Sequence, residues 1–375
     1  MTADAIFDVA IAGGGIVGSA CALACARRGL RVALVERDAL GSGATAAGMG
    51  HIVVMDDSDA QFALTRYSQQ LWHQLDLPPA AEYEQIGTLW IATDAEEMDA
   101  AERKHAWYAD RGLQTQLLTT YQLAQAEPNL IPGLVGALLV PGDAVVYPPV
   151  VAHELARRAA LLGAQLVLGR TITAIGNGRL LLSDGSEIRA HRLIHALGAE
   201  SALLSPELPI RKRKGHLVIT DRYPGFVRHQ LVELGYLKSA HSASSHSVAF
   251  NVQPRQTGQL LIGSSRQFGD EHPQVDQPIL SEMLARVAHY LPGARDLSAI
   301  RTWTGFRAAT PDKLPLIGPD IRDASILLAT GHEGLGITTS LATAELIASS
   351  LTGEPSAIPI EPYLPARYAQ VTATH

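Results

Sequence analysis

Three glycines near the start of the 375-residue chain are spaced to hold a phosphate. Gly13, Gly15 and Gly18 stand in the run Gly13-Gly14-Gly15-Ile16-Val17-Gly18, a G-x-G-x-x-G pattern. In such a run the first glycine permits a tight turn, the second lets a pyrophosphate approach the backbone, and the third lets helix and strand pack closely. The helix that opens there offers N–H groups and the positive end of its dipole to the phosphates. Glu36 follows about 20 residues on, where a carboxylate can accept hydrogen bonds from ribose hydroxyls. Far downstream, Arg307 stands among Trp303, Phe306, Ala308 and Ala309. Those apolar neighbours favour an inward guanidinium, whose planar fork can make two parallel hydrogen bonds to a carboxylate. His332 and Glu333 lie in the glycine-rich Gly331-His332-Glu333-Gly334-Leu335-Gly336 and on their own read as loop residues.

These residues need a scaffold, and the hydrophobic pattern predicts one. Asp8 to Ala12 reads as a short buried strand directly before the glycines. The Ala- and Leu-rich stretch to about Arg28 reads as a helix ended by Gly29, and Arg31 to Val35 as a second strand ending at Glu36. This context makes the run a dinucleotide fingerprint and not a bare turn, without choosing between NAD and FAD. Gly41 to His51 is dominated by small residues, which let backbone approach a large flat ligand. Residues from about Ala60 to Leu75 and Ala95 to Arg111 look helical; Tyr83 to Thr93 and Leu134 to Val140 look extended. Pro148-Pro149 opens a helix from Val150 to Leu162 that ends at Gly163. Short strands follow at Leu166 to Leu168, Thr171 to Ile175 and Leu180 to Leu182, with turns at Asn177-Gly178 and Asp184-Gly185. Leu193 to Ala199 is a buried strand running into a glycine turn. From Arg211 to about Arg301 the pattern changes to strands such as Leu217 to Thr220, Val248 to Val252 and Leu260 to Gly263, with a helix near Ile279 to Tyr290. That predicts a mainly antiparallel sheet inserted in the first unit. Ile326 to Thr330, the glycine turn, and a helix from Ile337 to Leu351 closed by Gly353 return to the first style.

Composition sets outer limits. Hydrophobic residues make up 47%, ordinary for a globular protein with a sizeable core. The net charge of −7 argues against a nucleic-acid partner. The first buried strand starts within a few residues of Met1 and no apolar run is long enough to span a bilayer. The expectation is a cytoplasmic protein without a secretory signal or transmembrane segment. Cys21 and Cys25 share one helix face among Ala20, Ala22, Ala24 and Ala26, and read as small buried side chains. No metal-ligand spacing is present, so no metal site is expected. Arg211-Lys212-Arg213-Lys214 is the one basic cluster. It reads as a solvated face, with a docking surface for an electron-accepting subunit as the alternative.

Together these segments resemble the D-amino-acid oxidase superfamily of FAD-dependent oxidoreductases over nearly the whole chain. The most specific parts are the fingerprint, the stretch Thr304-Gly305-Phe306-Arg307-Ala308-Ala309-Thr310-Pro311-Asp312, the run Leu314-Pro315-Leu316-Ile317-Gly318-Pro319, and Gly331 to Thr338. Within it the chain is most similar to bacterial D-hydroxyproline dehydrogenases and the related opine oxidase and cyanide-forming glycine-oxidising subunits. One departure is that the family's Ala-Gly-Ala-Trp strand end reads Leu197-Gly198-Ala199-Glu200, which bears on flavin packing and not on the fold.

The resemblance implies an α/β fold: a Rossmann-like, glutathione-reductase-like FAD-binding domain of residues 1–80, 145–210 and 302–375, with an inserted mainly antiparallel α+β substrate domain of residues 81–144 and 211–301. It implies noncovalent FAD, with His51 a conceivable covalent anchor. The pyrophosphate would meet Gly13, Gly15, Ile16, Val17 and Gly18; Glu36 and Arg37 would meet the ribose region, and Ile172 adenine. Thr45, Ala46, Gly48 and Met49 would run along the flavin ring, with Gly198 nearby. Gly331, Gly334, Leu335, Gly336, Ile337 and Thr338 would form the turn at its pyrimidine end. Arg307 would anchor a substrate carboxylate, and His332, Glu333 and Tyr236 would touch substrate, although a core role for Tyr236 is the simpler reading. The implied reaction is oxidation of a C–N bond to an imine, with cis-4-hydroxy-D-proline as first substrate. The alternatives are an opine, glycine or sarcosine type of oxidase subunit, or a non-catalytic FAD carrier in an electron-transfer complex. The electron acceptor is left open between oxygen and another acceptor; an iron–sulphur centre, if the enzyme uses one, would sit on a partner subunit.

Overall fold

The computed structural model describes residues 6–235 and 246–368. Tyr236 lies outside the described residues.

A central strand, Phe7–Ala12, organises the first of two eight-stranded sheets. Val32–Glu36 pairs parallel on one side of it and Glu187–His195 on the other. Gln165–Leu168 extends the sheet beyond the former and Ile326–Thr330 beyond the latter, again parallel. Leu316–Pro319 closes one edge antiparallel, and a hairpin of Ile172–Gly176 and Arg179–Leu182 hangs from Glu187–His195. The core strands are unbroken apolar runs because both sheet faces are covered. Helices Ile16–Arg27, Pro148–Leu161 and Gly336–Thr352 join one apolar cluster, while Leu180, Leu182, Ile188, Leu208 and Ile210 join another. Cys21 and Cys25 are fully buried within the helix cluster, and burial pushes the Cys25 thiol up to about 12. They are packing units, as their alanine-rich neighbourhood predicts.

The second sheet runs in the spatial order Ala299–Ala309, Arg211–Arg222, Gln259–Gln267, His246–Pro254, Gln230–Glu233, Thr88–Ala92, Gly136–Val140, Gln116–Thr119. All its pairings are antiparallel except that of Gln230–Glu233 with Thr88–Ala92. Alternation sends Val218, Leu231, Phe250 and Ile262 into a cluster with Met283 and Tyr290 of the Gln277–Tyr290 helix. Leu217, Ile219 and Leu261 belong to the opposite set, packed with Met49 of the first unit.

The boundary expected at residue 302 falls inside a strand. Ala299–Ala309 pairs along almost the whole of Arg211–Arg222 and so belongs to the second sheet. Its partner is distant in sequence, and nothing local in the motif around Arg307 announces the pairing. Among the described residues no helix is long and apolar enough to cross a membrane, and no group of three or more His, Cys, Asp or Glu is placed to hold a metal ion.

Candidate active site

A cleft of about 650 Å³ lies where the two sheets face each other. Its first wall is made at the carboxyl ends of the parallel strands. Gly13 follows Phe7–Ala12, Glu36 ends its strand, Ala196 to Gly198 follow Glu187–His195, and Gly331 follows Ile326–Thr330. Open α/β sheets place ligands at this edge, where connections diverge to opposite faces.

The fingerprint forms one end. Gly13 N–H donates to the Val35 carbonyl at 2.9 Å, holding the turn to the second strand. Gly18 sits flush on the Gly13 carbonyl, which any Cβ would strike. The Ile16–Arg27 helix starts at Gly15 with no side chain of its own as cap, and Thr45 Oγ1 accepts from Ile16 N–H at 3.0 Å. The Glu36 carboxylate is oriented by two backbone donors, Gly14 N–H at 2.7 Å and Asp38 N–H at 2.9 Å.

The other end comes from the far end of the chain. Glu333 adopts φ 50°, and its N–H donates to the Ala308 carbonyl at 2.8 Å, tying the glycine turn to the second sheet. The Gly336–Thr352 helix also opens without a side-chain cap. Thr338 locks its first turn in place. Its hydroxyl donates to the His51 carbonyl at 2.8 Å and accepts from Val53 N–H at 3.3 Å. Its carbonyl accepts from Ser68 Oγ at 2.5 Å and Trp72 Nε1 at 3.0 Å. Two helix starts without a side-chain cap from their own N-cap residue, an oriented carboxylate and a small-residue loop on one cleft fit a flavin dinucleotide: N–H groups for pyrophosphate and for the electron-rich end of the ring.

Of the residues expected at the cofactor, Gly13, Gly15, Ile16, Val17, Glu36, Arg37, Thr45, Gly48, Met49, Ile172, Gly198, Gly331, Gly334, Leu335, Gly336 and Ile337 line the cleft. Gly18, Ala46 and Thr338 do not. Gly18 backs onto Gly13, and Thr338 is turned into its clamp. Ala46 points outward from the single helical turn Ala44–Ala47, whose Ala44 and Ala47 face the cleft instead. His51 also lines it, and burial pushes its imidazole down to about 4, keeping it neutral.

The second sheet supplies the opposite wall and its charge. Arg307 lies across Gly215 on the neighbouring strand, where a Cβ would come 2.8 Å from Nη2 and 2.9 Å from Cζ. Its Nη1 donates to the Ser265 carbonyl at 3.0 Å. Burial pushes it down to about 10, so it remains protonated at neutral pH. Arg213 is directly opposite Arg307 in the ladder and is paired with the Glu333 carboxylate. Burial, followed by the charge of Arg307, lowers Arg213 to about 10. Arg266 lines the same wall and is pushed to about 9, first by burial and then by the fields of Arg213 and Arg307. None of the ion pairs among the described residues involves Arg307. His332 Nε2 lies 3.0 Å from Thr343 Oγ1, and burial pushes the ring down to about 4. Its polar edge is therefore engaged by the helix, and the ring is uncharged at neutral pH.

The basic run is not one continuous solvated face: Arg211 is exposed and Lys214 is buried. The strand alternates, so Arg213 enters the cleft while Lys214, 1% exposed, pairs with the partly exposed Asp270 at 2.7 Å. Lys212 reaches Glu200 and Glu271. Arg213, Arg266, Gly215 and Ala47 are among the cleft residues that the sequence reading missed. Period-two alternation along Arg211 to Leu217 was the available signal, obscured by four consecutive basic residues.

Comparison with known proteins agrees with this geometry. The sequence pattern of the family described as FAD dependent oxidoreductase matches residues 8–350. The chain is 28% identical to glycine oxidase of Geobacillus kaustophilus, covering 96% of this chain and 97% of that protein. A crystal structure of the glycine oxidase from that organism superposes with a TM-score of 0.85 at 27% identity, over 97% of this chain and 99% of that one. An opine oxidase subunit of Rhizobium meliloti is 23% identical, covering 91% of this chain and 93% of that protein. L-proline dehydrogenase of P. horikoshii, 23% identical, shares the fold with a TM-score of 0.87 over 98% of each chain.

Proposed function

The chain belongs to the family of FAD dependent oxidoreductases, and from that premise we propose that it oxidises the C–N bond of a small amine bearing a carboxylate, with cis-4-hydroxy-D-proline as first substrate. FAD is its cofactor, and amino-acid or amine oxidation is its chemistry. Bound FAD would supply an acceptor for the hydride on the carbon next to nitrogen, leaving an iminium that becomes the imine by releasing its N–H proton to solvent and that water can hydrolyse.

The observation that carries the reading is Arg307. It is a protonated guanidinium with no acidic partner among the described residues, set in the cleft that the fingerprint and the glycine turn share. A carboxylate gripped there fixes the rest of the molecule, and such positioning supplies much of the rate. The fingerprint glycines hold the pyrophosphate, Glu36 the ribose and Ile172 the adenine. The N–H groups at the start of the Gly336–Thr352 helix stabilise negative charge at the pyrimidine end. The chain works as one part of an assembly, as the name of the opine oxidase relative, itself a subunit, suggests for that protein, and an iron–sulphur partner takes its electrons. An opine- or glycine-oxidising protein would keep Arg307 in the same role and differ in substrate.

The test is anaerobic titration of the holoenzyme with cis-4-hydroxy-D-proline, D-proline, glycine, sarcosine and nopaline, following loss of flavin absorbance. Bleaching by the D-prolines supports the reading; bleaching by nopaline or glycine alone moves the substrate to the alternative. Arg307→Ala should lose about 2–5 kcal/mol of carboxylate binding and keep its FAD. A variant that bleaches like wild type refutes the anchor.

A further inference from the structure

The second sheet turns more hydrogen-bonding atoms toward the cleft than it satisfies. Trp90, Gln230 and Asn251 all line the cleft. They are only 3%, 2% and 8% exposed. Yet Trp90 Nε1, Gln230 Oε1 and Asn251 Oδ1 have no hydrogen-bond partner among the described residues. Buried polar atoms are nearly always paired, because leaving one unpaired forfeits its hydration for nothing. Strand pairing explains why these three share a wall. Val232 is paired with Trp90 on one side and with Asn251 on the other, and Gln230 stands two residues before Val232 on the same strand. Period-two alternation sends all of these side chains to one face. The floor between the polar atoms is apolar, since Trp90 and Val232 pack in one cluster with Met55 and Phe62.

Register joins this wall to the substrate carboxylate. Asn251 is paired with Gly263, two residues before Ser265, whose carbonyl accepts from the Arg307 guanidinium. Two residues along a strand and one strand across span about 8 Å between backbones, near enough for one small amino acid to meet both. The three side chains are neutral, so a charged group pressed against them would be buried without a counter-charge, which is costly. An indole N–H only donates, whereas the amide oxygens accept. Their complement is a neutral group that accepts and donates at once, and a hydroxyl does so with a single atom. We propose that Trp90, Gln230 and Asn251 form a specificity wall that reads a hydroxyl on the substrate away from its carboxylate. The proposal rests on the reading that Arg307 holds that carboxylate. A site built to hydrogen-bond a hydroxyl discriminates against an apolar isostere, because its own buried atoms are then left unpaired.

Carbocyclic acids, which have no C–N bond to oxidise, test this without turnover. The pair is cis-3-hydroxycyclopentanecarboxylate and its methyl counterpart, cis-3-methylcyclopentanecarboxylate, and binding to the holoenzyme is measured by calorimetry. The hydroxy acid should bind more tightly by roughly 10- to 100-fold. Trp90→Phe removes the N–H and keeps a ring; Asn251→Leu and Gln230→Leu remove the amides. Each should bring the ratio toward one. The three residues stand on three strands, so a variant that fails to fold leaves the others to be read, and the wild-type ratio decides the hydroxyl by itself. Equal binding of the two acids by wild type, both weakened by Arg307→Ala, overturns the wall and leaves the carboxylate reading standing. Binding that ignores Arg307→Ala, or no binding of either acid, overturns both. A wild-type ratio that survives all three substitutions overturns the assignment to these residues, and folded variants that lose FAD at an unchanged ratio assign their polar atoms to the cofactor instead. Tighter binding of cis-cyclopentane-1,3-dicarboxylate than of the hydroxy acid overturns the neutral hydroxyl in favour of a second anion.

Discussion

Gly215→Ala should damage substrate binding without damaging the fold. Gly215 lies in a strand opposite Gly305 and is not among the residues with positive φ, so its backbone can accept alanine. Alanine within an element is favoured over glycine by about 0.5–1 kcal/mol. The cost falls on Arg307. A new Cβ would lie 2.9 Å from Cζ and 2.8 Å from Nη2, whereas carbon atoms prefer about 3.5–4.0 Å. The guanidinium must therefore retreat by about 1 Å, giving up its 3.0 Å bond to the Ser265 carbonyl. A displacement of that size at a positioning group costs on the order of 100-fold, or about 2.7 kcal/mol. Stopped-flow reduction of the holoenzyme under anaerobic conditions measures both the dissociation constant and the rate of flavin reduction, and flavin content and melting temperature are recorded alongside. The expected variant is yellow, as heat-stable as wild type, and weakened toward carboxylate substrates. Wild-type affinity and rate would show that the guanidinium does not need the space above Gly215. Loss of FAD would place Gly215 in the cofactor scaffold and refute the argument equally.

Two further outcomes follow from other parts of the molecule. Glu36→Gln should weaken FAD retention, since one carboxylate oxygen would become an amide facing the Gly14 or Asp38 N–H; release of FAD on dilution measures this, and unchanged retention would remove Glu36 from the ribose site. Asp143 is buried, accepting from Val54 N–H and Gln69 Nε2, and burial pushes it up to about 7. Between its unfolded value near 3.9 and about 7 the folded state binds more protons, so stability should fall as pH rises through that window and level off above it, a swing on the order of 4 kcal/mol. Asp143→Asn should flatten that slope in denaturant titrations, and parallel profiles for variant and wild type would contradict it.

The cofactor side of the cleft was legible because its signals are local. The fingerprint, the strand ending in Glu36 and the helix closed by Gly353 each sit within a short window, where turn chemistry and periodicity speak directly. The substrate side was less so. Arg307 is picked out by its match to the family's motif, with apolar neighbours that favour an inward guanidinium, but its companions are brought in by pairings between remote strands. Arg213 meets Arg307 only because Arg211–Arg222 lies antiparallel to Ala299–Ala309. Arg266 gives no local sign of direction, and Lys214 beside Arg213 leaves the cleft entirely to reach Asp270. The same pairing moved residues 302–309 out of the unit to which their motif assigned them.

The Thr338 clamp has a consequence for how the protein is made. Val53 and Thr338, joined by one hydrogen bond, are 285 residues apart, and Ser68 and Trp72 also wait for the Thr338 carbonyl. A ribosome that has produced the fingerprint has still to synthesise the strand and helix that complete the cleft. Nascent chains cannot close around the flavin while they grow. Loading falls after the Gly336–Thr352 helix emerges, and chains arrested before it should leave the ribosome colourless, with the surface meant for that helix open to chaperones.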